Sequence, residues 1–130
     1  MVTIDGENTF RGHAVEVSEE LRKSTMGAHA LVLYPDLITF RELYSFYIRS
    51  ALYDSGIVLI LPYLETVDTV RQILSEDSAN IDVRKYEKEQ SLLIMDSLKG
   101  YFGLREGLLP FILHTADFAK KSGKKPLCII

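Results

Sequence analysis

Cysteine is almost absent from this chain, and Cys128 is the single copy. No disulfide can form within the chain, which points to a reducing compartment. Cys128 lies in the apolar run Pro126-Leu127-Cys128-Ile129-Ile130 and reads as a small core residue rather than a reactive thiol. No apolar run approaches the roughly 20 residues that span a bilayer. The opening Met1-Val2-Thr3-Ile4-Asp5-Gly6-Glu7 lacks the basic and apolar regions of a signal peptide. A cytoplasmic location without membrane contact is therefore expected. Basic charge is not in excess either: the formal net charge is −3, which argues against tracking a phosphate backbone. The one dense basic group, Lys120, Lys121, Lys124 and Lys125, reads as a solvated helix end with favourable dipole placement.

Several catalytic and metal-binding patterns are missing as well. There is no Gly-x-x-x-x-Gly-Lys-Ser/Thr phosphate loop anywhere in the chain. His13, His29 and His114 have no second ligand at zinc spacing, so no metal is expected. Ser24 and Ser97 lie in no Gly-x-Ser-x-Gly elbow, so no nucleophile is assigned. No catalytic residue and no cofactor are expected.

What remains is ordinary globular material. The chain has 130 residues, 47% hydrophobic and 25% charged, enough for one domain with a real core. Residues 1–12 are polar, without period, and are expected to form a loose arm. Val15–Met26 reads as a helix stopped by Gly27. Ala28–Tyr34 is nearly continuous in apolar residues, the mark of a strand covered on both faces. Pro35 ends it, and Thr39 is the expected N-cap of a helix of about 15 residues. Phe40, Leu43, Tyr44, Tyr47, Ile48, Ala51 and Leu52 give the clearest helical period in the chain. Ser55-Gly56 closes that helix.

Ile57–Leu61 predicts a second buried strand, closed by Pro62. Thr66 caps a short helix with Val67, Val70, Ile73 and Leu74 facing inward. After a polar break from Ser75 to Asn80, Asp82 caps another, with Val83 and Tyr86 inward and Glu87-Lys88-Glu89 as a solvated face. Leu92–Met95 predicts a third strand, and Ser97–Gly107 a loop. Pro110 suits the first turn of the last long helix, with Phe111, Ile112, Ala116 and Ala119 inward and Gly123 as its stop. Leu127–Ile130 predicts a fourth strand. Strands alternating with helices imply an α/β fold: a mostly parallel central sheet, flanked by helices on both faces in a Rossmann-like three-layer arrangement. Ending on a strand, the chain is expected to be trimmed at its C-terminus or to have that edge completed by a partner, including a second copy.

Open parallel sheets bind ligands beyond the carboxyl ends of their strands. That rule selects Tyr34 and Asp36 after the first strand and Tyr63 and Glu65 after the second. After the third it selects Asp96, Ser97 and Lys99, with Tyr101 and Phe102 close behind. Tyr34, Asp36, Tyr63, Asp96 and Tyr101 are the expected ligand-binding residues of an amphipathic pocket for a small organic molecule. Leu92-Leu93-Ile94-Met95-Asp96 also has the form of a Walker B strand, but without the glycine-rich loop it is an incomplete magnesium site. The alternative reading of these residues is aromatic capping of the core beneath loops.

The segments Gly27-x-His29-Ala30-Leu31-Val32-Leu33-Tyr34, Ala51-Leu52-Tyr53-Asp54-Ser55-Gly56 and Ile57–Leu61, with the later Asn80-Ile81-Asp82-Val83 and Ser91-Leu92-Leu93-Ile94-Met95-Asp96, resemble the MEDS domain. This is the methanogen and methylotroph sensory domain of DcmR-type archaeal and bacterial regulators. The resemblance spans roughly residues 27–130. It implies a RecA/KaiC-like domain without a Walker A loop that senses a small organic molecule or relays signals to another protein. Family members usually continue beyond the strand that matches Leu127–Ile130, and they are often joined to a DNA-binding or kinase module.

The expected function is a non-catalytic sensory domain that binds a small organic ligand and signals through a partner protein. The alternatives are a nucleotide-binding, ATPase-related domain with an atypical phosphate loop, and a module that pairs its sheet edge with another chain.

Overall fold

The computed structural model describes residues 2–3, 16–21, 23, 32–124 and 127–130. They divide into two compact units, Met1–Ser50 and Ala51–Ile130, with the boundary inside one helix.

In the first unit, β1 (Val2–Thr3) and β2 (Val32–Leu33) pair in parallel, Val2 opposite Val32 and Thr3 opposite Leu33. Residues 16–21 form α1. α2 (Leu37–Tyr53) follows β2 and crosses the boundary. Val17 of α1 and Leu43 of α2 are buried together, with Leu21, Val32 and Phe46 packed against them. Of the predicted stripe of α2, Leu43, Tyr44, Ile48, Ala51 and Leu52 are buried, while Phe40 and Tyr47 are half-buried.

Both ends of α2 are closed by specific chemistry. Thr39 was the expected cap, but the helix starts earlier and Asp36 takes that role. Asp36 Oδ1 accepts from the Thr39 backbone N–H at 2.8 Å and from the Thr39 hydroxyl at 2.7 Å. Thr39 itself is completely buried. At the far end, Ser55 N–H donates to Leu52 O at 3.2 Å and Gly56 N–H to Ala51 O at 2.8 Å. These two bonds make a Schellman motif with Ser55 in the left-handed position at φ 62°. Gly56 is needed for space: a Cβ there would sit 2.8 Å from Ala51 O.

In the second unit, β3 (Ile57–Ile60), β4 (Leu92–Ile94) and β5 (Leu127–Ile129) form a three-stranded parallel sheet in the order β4-β3-β5. All four residues of β3 are buried, as expected for the middle strand of an apolar sheet. α3 (Val67–Ser75) and α4 (Val83–Lys88) make the first crossover and pack on β4, while α5 (Leu108–Lys121) makes the second and packs on β5. The predicted caps are present: Thr66 Oγ1 accepts from Thr69 N–H, and Asp82 from Lys85 N–H. Val70, Leu74 and Val83 point into the core. Gly123, at φ 69°, stops α5 as predicted.

The predicted fold class is overturned. The described residues are mostly helical, and among them no mostly parallel central sheet flanked by helices on both faces is formed. Among the described residues the strands are two to four residues long and pair in two small sheets. The physical reason lies in the expected first strand. Of Ala28–Tyr34 only Val32–Leu33 is a described strand; it pairs with Val2–Thr3 rather than β3, and Leu33 is 47% exposed rather than covered on both faces. Val2–Thr3, read as part of a loose arm, supplies that partner.

Smaller corrections follow the same logic. Ser97–Gly107 is no simple loop: Lys99–Gly103 forms a π-helical turn. Ala116 is exposed rather than inward. Glu87 is not merely solvated, since its carboxylate accepts from Arg71 Nε at 2.9 Å and ties α4 to α3. Residues 4–15 of the expected arm and early helix, and residues 24–31 with His29, lie outside the described residues.

Candidate functional site

The five expected ligand residues fall into two groups, one in each unit. In the first unit, Tyr34 leaves β2 and its ring stacks on Phe40 at 4.5 Å and 15°. Phe40 in turn meets the buried Tyr44 edge-on at 5.1 Å. Tyr34 is thus the outer member of an aromatic ladder along the start of α2. Asp36 is the helix cap. Its carboxyl is held below the ordinary carboxylate range, first by the Thr39 backbone N–H and then by the Thr39 hydroxyl.

In the second unit, the other three lie on segments that follow the carboxyl ends of β3 and β4. β3 and β4 run in parallel with Ile60 opposite Ile94, so the chain leaves both strands at the same end. Met95 N–H donates to Ile60 O at 3.0 Å, and Ser97 N–H to Pro62 O at 3.2 Å. The segments that carry Tyr63 and Asp96 are therefore stitched backbone to backbone. Asp96 Oδ1 accepts from Leu98 N–H at 2.9 Å and Lys99 N–H at 3.2 Å, so it caps the helical turn that follows. Gly100 is buried in that turn; a Cβ on it would lie 2.9 Å from Leu61 Cδ2. The turn therefore packs closely on the Leu61 side chain just after β3.

On this braced backbone the side chains face outward. Tyr63 is 81% exposed, Tyr101 61% and Phe102 84%, with Leu64, Leu98 and Leu109 also exposed. Tyr101 and Phe102 are neighbours, with ring centroids 6.4 Å apart, and large apolar side chains left in water side by side mark an interaction surface more often than single ones do. The tyrosines add hydroxyls that can hydrogen-bond a ligand while their rings stack on it. Leu64, Leu98 and Leu109 were missed by sequence reasoning. Their spacing from strand ends carries no chemistry, and only the exposure of otherwise core-type residues reveals them.

Charge chemistry is sparse here. Among the described residues no group of three or more His, Cys, Asp or Glu is placed to hold a metal. His114 is exposed on α5, with Nδ1 3.9 Å from Glu106 Oε2. Of the basic group on the last helix end, Lys121 pairs with Asp117 at 2.7 Å and Lys124 donates to the buried Ser91 hydroxyl at 2.5 Å. Lys125 lies outside the described residues. Among the described residues no helix is long and apolar enough to cross a membrane.

Comparison with protein-family models, with curated proteins and with solved structures gives no match.

Proposed function

We propose that the chain is a non-catalytic sensory or signalling domain that binds a small organic ligand at the carboxyl end of the β3–β4 pair and passes the signal to a partner protein. The observation that carries this reading is the pairing of a braced backbone with exposed rings. Tyr63, Tyr101 and Phe102 stand in water on segments tied together by Ser97 N–H to Pro62 O. A soluble binding face of this kind gains affinity by covering apolar area, roughly 25 cal/mol for each Å² removed from water.

The non-catalytic part rests on the carboxylates. Asp36 and Asp96 each commit an oxygen to backbone N–H groups at the start of a helical segment. At Asp96 this also occupies the Leu98 and Lys99 N–H groups, the donors that an approaching phosphate would use. That weighs for an uncharged or mixed-polarity ligand over a nucleotide. The sensory class itself comes from the resemblance of the sequence motifs to the MEDS domain and does not draw on a RecA/KaiC-like sheet. A lone cysteine fits a cytoplasmic setting.

Thermal unfolding against a panel of small organic metabolites and nucleotides tests the proposal. A ligand that binds only the native state raises the apparent stability by about 2.7 kcal/mol at a hundred times its Kd. At least one neutral organic compound should raise the Tm, and Tyr63→Ala should abolish the shift. A panel without any shift, or a shift confined to nucleotides with magnesium, overturns it.

A further inference from the structure

α5 is apolar over more of its circumference than its own unit covers. Leu108, Ile112, Thr115 and Ala119 recur at i, i+4, i+7 and i+11 and form the covered face, with Ala119 buried and the others half-buried. A second stripe runs beside it in water: Leu109 is 65% exposed, Leu113 59%, and Ala116 is exposed too. Ala116 is the residue that the period placed inward. With exposed Glu106 before the helix and exposed Lys120 near its end, the spacing of Glu106, Leu109, Leu113, Ala116 and Lys120 is 3, 4, 3 and 4. That is the heptad interval, at which side chains line the seam between two packed helices. At about 100° per residue, Leu109, Leu113, Ala116 and Lys120 fall within an arc of roughly 60°, about 100° around from the covered face. The polar residues His114, Asp117 and Lys121 stand on the other flank, and Lys121 pairs with Asp117 at 2.7 Å. Glu106 Oε2 lies 3.9 Å from His114 Nδ1, which places this carboxylate against the second turn of α5. The exposed seam is thus apolar in the middle, acidic at its start and basic at its end.

We infer that α5 pairs with α5 of a second copy of this chain, antiparallel about a two-fold axis at Leu113, so that Glu106 of each copy meets Lys120 of the other. Leu113 is the midpoint of the seam, since 113 − 106 and 120 − 113 are both 7. Antiparallel pairing sets Leu113 on Leu113, large Leu109 on the turn that carries small Ala116, and opposite charges together at both ends. Parallel pairing would set Glu106 on Glu106 and Lys120 on Lys120, and like charges oppose association. The charge pattern therefore selects both the occupant and its direction. A two-fold axis uses the same patch on both copies, so assembly closes at two. Taking the exposed leucines out of water drives it. The 14 residues of α5 span about 21 Å. A contact of that length sits at the low end of interface size, below about 1,200 Å² in total, so the pair is weak and exchanges with single copies. The pairing needs no ligand, and its test is independent of the function proposed above.

Sedimentation equilibrium of the full chain, from about 1 µM to about 1 mM, covers the range in which a weak pair titrates. The mean mass should climb from that of one copy toward that of two, and no higher. Leu113→Asp sets two carboxylates against each other at the axis and should raise the dissociation constant at least about tenfold. Its Tm at the lowest concentration should match the parent, because the side chain is exposed. Glu106→Lys and Lys120→Glu should each weaken the pair several-fold, and the two reversals combined should restore it. A single copy at every concentration overturns the inference. So does a dimer untouched by Leu113→Asp, which would put the contact elsewhere, such as the open edge of β5. Single charge reversals without effect overturn the antiparallel seam.

Discussion

Asp36 shows how one carboxylate oxygen sets a helix start and its response to acid. The Thr39 N–H and hydroxyl both donate to it, and they hold its pKa below the ordinary value. A folded-state pKa below the unfolded one means stability is present above the unfolded value of about 3.9 and is lost as pH falls through the lowered folded value. Asp36→Ala should lower the Tm at pH 7 by removing the cap. Asp36→Asn keeps an acceptor in place and should retain most of the Tm there, yet show a flatter acid limb. Scanning Tm from pH 7 to pH 2.5 for the three proteins checks this, and an unchanged acid limb in Asp36→Asn refutes the assignment. Ser55 and Gly56 make the opposite case at the other end of α2. A left-handed non-glycine residue costs about 1–2 kcal/mol, and glycine returns roughly half of that as lost chain entropy. Ser55→Gly should therefore stabilise by about 0.5–1 kcal/mol in urea unfolding. Gly56→Ala should destabilise by about 1–3 kcal/mol, since its Cβ would meet the backbone oxygen of Ala51 rather than a side chain that can move.

Among the elements, the ones the sequence announces most clearly are those with both a cap and a period. Thr66 and Asp82 mark α3 and α4 because the residue types that accept backbone N–H groups stand directly before the apolar spacing begins. Thr66→Ala should cost about 1 kcal/mol, and Thr66→Asp should recover most of it, read by urea midpoint. The π-helical turn at Lys99–Gly103 was not legible. Its apolar residues point outward, so no burial period exists, and the glycines that permit it look like loop residues. Asp96 was legible as a strand-end carboxylate, but the use of its oxygen as a cap depends on Leu98 and Lys99, two residues with no capping signature of their own. Tyr63 and Tyr101 could be picked from strand order alone. Leu64, Leu98 and Leu109 could not, because a leucine beside a turn is ordinarily core.

For the molecule as a whole, local pattern fixes which segments are apolar and leaves open which strand finds which partner. Ile57–Ile60 and Val32–Leu33 both read as strands, yet the first is the fully buried middle of a three-stranded sheet and the second a two-residue pair with Val2–Thr3. Pairing depends on long-range packing that a seven-residue apolar run does not encode, and this is where the expectation of one large sheet failed. The contrast concentrates stability in β3. Leu59 has no exposed surface and stands between Leu93 on one side and Ile129 on the other. Truncation to alanine removes buried methyl groups and leaves a cavity that its neighbours fill only in part, a loss of about 2–5 kcal/mol. Total stability of small domains is about 5–15 kcal/mol, so Leu59→Ala should remove a large share of it. Leu64→Ser, on the exposed rim just beyond the same strand, should change stability by no more than about 0.5 kcal/mol. Urea unfolding of the two variants beside the parent decides the matter. Equal losses would mean that the rim is packed and not an open binding face, and a Leu59→Ala variant as stable as the parent would remove β3 from the centre of the fold.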